Sequence, residues 1–278
     1  GKTAAEDRVT SLREFDIAIR LNNSDADLFY FSGLVIDRAA DAGGKVRIGR
    51  SMAPATKQLA SERYLQCINL DDTYLPAYLT LAEYFRGIEK HDEAVNKYKR
   101  ALVLAPEKEE LYGKLASYFT DLDRLADAYD VHAAYQLRQP KHLDTLYALG
   151  KLSLQLKEYQ RSADWHEVLV KQESKHAMAH ADLSDSYVEL GEWRKAVTHA
   201  DAALALLEDD AEKTRVYRKK GIAHWAMDDA ANTLAALAGH AEATKDMRVL
   251  TALGWAQSLD ESQAAAMLTT ANTAVALD

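Results

Sequence analysis

Few residues in this sequence could do chemistry, and each has a competing structural use. Cys67 is the one cysteine of the chain. That excludes an internal disulfide and any multi-cysteine zinc site, and a reactive thiol there would need neighbours that lower its pKa. His176 and His180 are four residues apart, with Asp182 and Asp185 close behind. Two histidines at that spacing can hold a metal from one helix face, but His176 stands just before the helix and no metalloprotease glutamate follows. Gly1-Lys2-Thr3 matches only the tail of a phosphate loop, and neither a G-x-S-x-G elbow nor a dinucleotide fingerprint occurs. Asp121-Leu122-Asp123 reads as turn and cap residues. The remaining group is basic and aromatic. Arg215 and Arg218 are three apart with Trp225 further along, and Arg248 and Trp255 repeat the arrangement. Guanidinium forks beside an indole suit a carboxylate, a phosphate or an acidic peptide. The competing reading is a solvated basic face with both tryptophans packed between helices. No acid–base pair or activated nucleophile assembles, so the chain reads as non-enzymatic, without metal or cofactor.

The elements that carry these residues follow a spacing of 34. Tyr78 and Tyr112, Leu81 and Leu115, Ala82 and Ala116, Phe85 and Phe119, Ala94 and Ala128, and Pro106 and Pro140 are each 34 apart. The leucine register continues through Leu149 and Leu183, and the small-residue register through Gly150 and Ser184. His132 and His166 fall in the slot that Tyr98 holds one period earlier, which makes them packing residues. A period of this length means units that cannot bury their apolar faces alone and must stack on their neighbours. Hydrophobic content of 48% with only 12 glycines and 4 prolines suits long helices. The net charge of −9 argues against a nucleic-acid partner or an anionic membrane surface. No apolar run is long enough to span a bilayer.

The pattern of aromatic, leucine, small residue and aromatic, then alanine, aromatic, alanine and a closing proline, resembles the tetratricopeptide repeat (TPR) family. That resemblance implies an all-α, right-handed α-solenoid of stacked antiparallel helix pairs, with no β-sheet. The whole chain, residues 1–278, is expected to form a single array. Residues 4–20 supply a half-repeat helix, with Phe15 and Ala18 in second-helix slots. Residues 25–72 form a repeat whose second helix is displaced. From Ile36 to Ala60 is 24 residues where Phe85 to Ala94 is 9, so about 15 residues, 39–53, are inserted as a solvated loop. Clear repeats span 75–108, 109–142, 143–176 and 177–210, and looser ones 214–246 and 247–278. The half-repeat start and the apolar last helix suggest a piece of a longer protein. Cys67 falls in an alanine slot, where a thiol packs as a small hydrophobe.

In TPR proteins the first helices line a concave groove. Carried across position by position, that groove would contain Glu83 and Arg86, then Asp121, then Tyr147 and Lys151, then Asp185 and Glu189, and finally Arg215, Arg218, Trp225, Arg248 and Trp255. The sign of charge changes along this series. The asparagines of a carboxylate clamp for chaperone tails are missing, so that role is not expected. The resemblance implies a scaffold that binds a protein or peptide segment in the groove. A polysaccharide-handling module of a bacterial export machinery is the alternative, and a regulatory domain fused to a catalytic one is a third. The compartment, cytoplasmic or periplasmic, stays open.

Overall fold

The structure, a computed structural model, describes residues 14–41, 45–48, 51–54, 56–238, 240, 246–259 and 270. Residues 14–21 are helical (α1). They are followed by α2 (Ala26–Asp41), β1 (Lys45–Ile48), β2 (Ser51–Pro54), α3 (Lys57–Leu70), α4 (Leu75–Gly87), α5 (His91–Leu104), α6 (Glu109–Asp121), α7 (Leu125–Arg138) and α8 (Leu143–Gln155). The series continues with α9 (Tyr159–Gln172), α10 (Ala177–Leu190), α11 (Trp193–Leu204), α12 (Asp210–Ala226), α13 (Ala230–Leu237) and α14 (Met247–Ser258). The expected last helix, residues 262–277, lies outside the described residues except for Thr270. Contacts divide the chain into two units, Gly1–Leu115 and Ala116–Asp278, with the division inside α6.

The helix pairs are set by their turns. Lys90 N–H donates to Phe85 O, Arg124 to Phe119, Glu158 to Ser153, Glu192 to Tyr187 and Asp229 to His224, at 2.8–3.0 Å. These bonds close the end of a first helix in the manner of a Schellman motif, whose preceding residue must be left-handed. That residue is Glu89, Asp123, Lys157, Gly191 and Asp228 in turn, with φ of 56–75°. The first four are spaced by 34. Four of the five carry a side chain, so the fold holds a mildly unfavourable backbone state there. Of the helices that follow these turns only α13 has a side-chain cap, Asp229; elsewhere Thr56 caps α3, His142 α8, His176 α10, Asp209 α12 and Asp246 α14.

Packing inside a pair depends on a small residue facing a large one. A Cβ on Gly150 would lie 2.6 Å from the His166 ring, one on Gly33 2.5 Å from Tyr64, and one on Gly221 2.3 Å from Leu237. In unit 1 the core gathers Phe29, Tyr64, Cys67, Tyr78 and Leu81. In unit 2 one cluster joins Leu183, Tyr187, Ile222, Leu237 and Leu253, and a second Leu146 and Leu169.

The insertion departs from expectation. Residues 45–54 form a two-stranded antiparallel hairpin, with Lys45 opposite Pro54 and Ile48 opposite Ser51. Among the described residues the fold is therefore all-α except for this ribbon, and where a loop is expected over 39–53, α2 extends to Asp41 and the ribbon stands between it and α3. Helix α2 runs on past Ile36 because Ala39, three residues later on the same face, is 4% exposed and part of the core.

Candidate functional site

Unit 2 shows which face its first helices form. Helix α10 packs directly on α8 and on α12, and α12 packs on α14. No contact of comparable extent joins α9 to α11 or α11 to α13. First helices that touch while second helices splay put α8, α10, α12 and α14 on the inner, concave side of this unit. Helix α10 is its most enclosed element, with every residue from Ala179 to Val188 buried.

That burial encloses two carboxylates. Asp182 and Asp185 have side chains 6% and 11% exposed, and both bind Arg215 of α12. Arg215 Nη2 donates to Asp182 Oδ1 at 3.1 Å, Nη1 donates to Asp185, and Nε donates to Glu212 Oε2 at 2.8 Å. Burial pushes the Asp182 carboxyl up to about 6 and raises Asp185 as well. For Arg215 burial works the other way, but the carboxylates outweigh it and hold the guanidinium above its usual range. One turn further along the face, Lys219 Nζ and Arg248 Nη1 each lie 3.0 Å from Glu189 Oε1. Arg248 also reaches Asp246 at 3.4 Å. These pairs hold Glu189 below the ordinary carboxylate range although burial opposes them. The inner face of unit 2 is thus crossed by ion pairs that join α10 to α12 and to α14.

The residues expected to line the groove are placed as follows. Asp185, Glu189, Arg215 and Arg248 come together in this ladder. Tyr147 stands beside it on α8, half-buried between the rings of His166 and His176, with Lys151 Nζ 5.9 Å from its centroid. Arg218 does not join Arg215. Its Nε donates to the carbonyl of His240 at 2.5 Å, and the His240 ring stacks on Tyr217. Trp225 is half-buried against the core around Leu237, and Trp255 is half-buried on α14. The two guanidinium forks therefore do not stand side by side against an indole. Asp121 is an exposed residue at the end of α6. In unit 1, Glu83 of α4 accepts a hydrogen bond from Tyr98 Oη at 2.5 Å, with Arg86 3.7 Å away. Glu83 also lines a cleft of about 260 Å³ between α2, α3 and α4.

Asp182, Glu212, Lys219 and Asp246 belong to the ladder but were not singled out as groove residues. Their signal is faint but present: Asp182 and Arg215 are 33 apart, and Glu189 and Lys219 are 30 apart, which joins like faces of successive repeats.

Among the described residues, two clusters wholly within unit 2 resemble catalytic or metal sites. Ser162 Oγ is 3.3 Å from His166 Nδ1, and His166 Nε2 is 3.7 Å from Asp182 Oδ2. The order is that of a serine triad, but the last distance is too long for a hydrogen bond. Ser162 and His166 are 0% exposed, and Ser186 caps the Ser162 hydroxyl at 3.0 Å, so no substrate carbonyl can approach. Burial pushes His166 down to about 4, which keeps it neutral. His176 and His180 do not share a ligand site. His176 caps α10, while His180 Nδ1 faces His199 Nδ1 at 2.9 Å. Cys67 is 0% exposed in the unit 1 core, and burial pushes its thiol up to about 12.

No protein-family model matches the sequence, and no curated protein sequence does. Solved structures do. The C-terminal part of a TPR repeat-containing protein from Cytophaga hutchinsonii aligns over 89% of this chain and 95% of its own, at 11% identity and a TM-score of 0.59. YrrB, described as a TPR protein with an unusual peptide-binding site, aligns over 74% of this chain and 97% of its own, at 17% identity and a TM-score of 0.52. The Naa15/Naa10 complex bound to HypK-THB aligns over 90% of this chain and 36% of its own, at 15% identity and a TM-score of 0.65. With the 34-residue register, the recurring left-handed turn and the stacked helix pairs, this likeness establishes that the chain has the tetratricopeptide repeat fold.

Proposed function

We propose that this chain is a non-catalytic interaction module that binds a segment of a partner protein along the face of its first helices. The observation that carries this reading is the direct packing of α8, α10, α12 and α14 on one another, which makes a continuous inner surface rather than isolated helices. Its ion pairs fix the helices relative to each other, so the surface is formed before a ligand arrives and the ordering cost of binding is small. A bound segment would then be held by side-chain pockets along that surface. Similar structures are consistent with this: YrrB is described by its peptide-binding site, and Naa15/Naa10 is seen with HypK-THB. Among the described residues no helix is long and apolar enough to cross a membrane.

Peptide selection from a random display library tests the reading. Selected peptides should lose binding when inner-face residues of unit 2 are changed, for example Tyr147→Ala or Lys151→Glu. They should keep it when outer positions such as Val103 or Leu137, 67% and 86% exposed, are changed to serine. Peptides that respond only to the outer changes would refute it.

A further inference from the structure

Resting on that groove reading, we propose that the cleft between α2, α3 and α4 receives one basic side chain, arginine or lysine, from the bound partner segment. The cleft of about 260 Å³ exceeds the volume of one long side chain and has apolar walls from Tyr84, Gly87 and Ile88. Its polar groups are mostly acceptors. Asp37 contributes a carboxylate from α2, Glu83 another from α4, and Thr80 a hydroxyl whose hydrogen is already given to Pro76 O at 2.9 Å. Lys57 is the cation of the lining, and it is tied to Asp37 and Asp41 at 2.7 Å each. Within the lining, Asp37, Glu83 and Lys57 leave one negative charge in excess, with Asp41 beside Lys57 and Arg86 beside Glu83 as flanking neighbours.

A second observation points to an absent ligand. Tyr64 lines the cleft and is 1% exposed, yet its hydroxyl has no hydrogen-bond partner. A buried polar atom left unpaired is costly, and native folds rarely tolerate one without a use. A guanidinium or ammonium entering on its aliphatic stem would give the Tyr64 oxygen a donor and meet Asp37 and Glu83. Its methylenes would lie against Tyr84 and Ile88. The hairpin β1–β2 connects Asp41 to Lys57, so the insertion leaves and rejoins the helices at this rim.

The probe is N-acetyl-arginine methylamide, titrated into the full chain while amide shifts are followed by NMR. N-acetyl-norleucine methylamide, with the same stem and no charge, is the control. Saturable shifts at Gly87 and Ile88 are expected for the arginine probe, with a dissociation constant on the order of millimolar for so small a ligand. Norleucine should bind at least about fivefold more weakly. Glu83→Gln keeps an acceptor for Tyr98 while removing the charge, and should weaken the arginine probe about tenfold. Tyr64→Phe should weaken it severalfold yet leave the thermal midpoint unchanged or higher, because the lost hydroxyl is unpaired in the free protein. Equal binding of norleucine, absence of saturable shifts at Gly87 and Ile88, or a midpoint lowered by several degrees in Tyr64→Phe would each overturn the proposal. Library peptides that lose binding on Glu83→Lys but carry no basic residue would sink this subsite while leaving the groove reading intact.

Discussion

Replacing Arg215 with methionine tests the ion ladder of unit 2. The substitution keeps an unbranched stem and removes the charge that faces Asp182 and Asp185. Breaking a buried pair from one side strands the other partner, at a typical cost of about 3–5 kcal/mol. The structure supports that range, because the stranded carboxylates are 6% and 11% exposed and have little water to turn to. Either can escape by binding a proton. For a carboxyl with an ordinary pKa near 3.9, that costs about 4 kcal/mol at pH 7 and only about 1.5 at pH 5. The penalty should therefore shrink to roughly 1–2 kcal/mol at pH 5, helped by Asp182, which already takes up a proton near pH 6 in the intact protein. Tryptophan fluorescence in urea reads this unit alone, since Trp165, Trp193, Trp225 and Trp255 all lie in it. Adding Asp182→Asn and Asp185→Asn to Arg215→Met should recover most of the loss at pH 7. A penalty under about 1 kcal/mol at pH 7, or one that does not change by pH 5, would refute the reasoning.

Three further outcomes are expected. Gly150→Ala places a methyl 2.6 Å from the His166 ring and should cost about 1–3 kcal/mol, whereas Gly113→Ala, which meets nothing within 4 Å, should stabilise α6 by about 0.5–1 kcal/mol; urea denaturation of each variant checks both. At the left-handed turns, Lys157→Gly should raise stability slightly and Gly191→Ala lower it by about 1 kcal/mol, seen as opposite shifts in thermal midpoint. His166, held near 4, contributes about 3 kcal/mol that is present above its usual pKa of 6.5 and lost as pH falls through 4, while Asp182, held near 6, gains about 3 kcal/mol over nearly the same fall; Asp182→Asn should therefore lose stability more steeply than the parent between pH 6.5 and 4.

How legible this was depended on whether a feature repeats. The tyrosine, leucine and alanine series showed the helix pairs because each slot is filled by a residue type that packing demands. Glu89, Asp123 and Lys157 keep the same spacing, but residue type hides their left-handed turns and only Gly191 displays one. The hairpin is hard to read from sequence because Gly43-Gly44 marks a loop, whereas the two paired runs are only four residues each, separated by Gly49-Arg50. The ladder was half legible. Groove positions of Asp185, Glu189, Arg215 and Arg248 could be counted off, but whether the acids and bases satisfy each other or wait for a ligand depends on side-chain directions that spacing does not carry. Arg218 turning away to the His240 carbonyl shows the limit.

The central claim, that first helices form the binding face, is tested most directly by hydrogen exchange of the full chain with and without a library-selected peptide. Protection should appear on α8, α10, α12 and α14 of unit 2, with α9, α11 and α13 unchanged. Protection concentrated on those second helices would contradict the account.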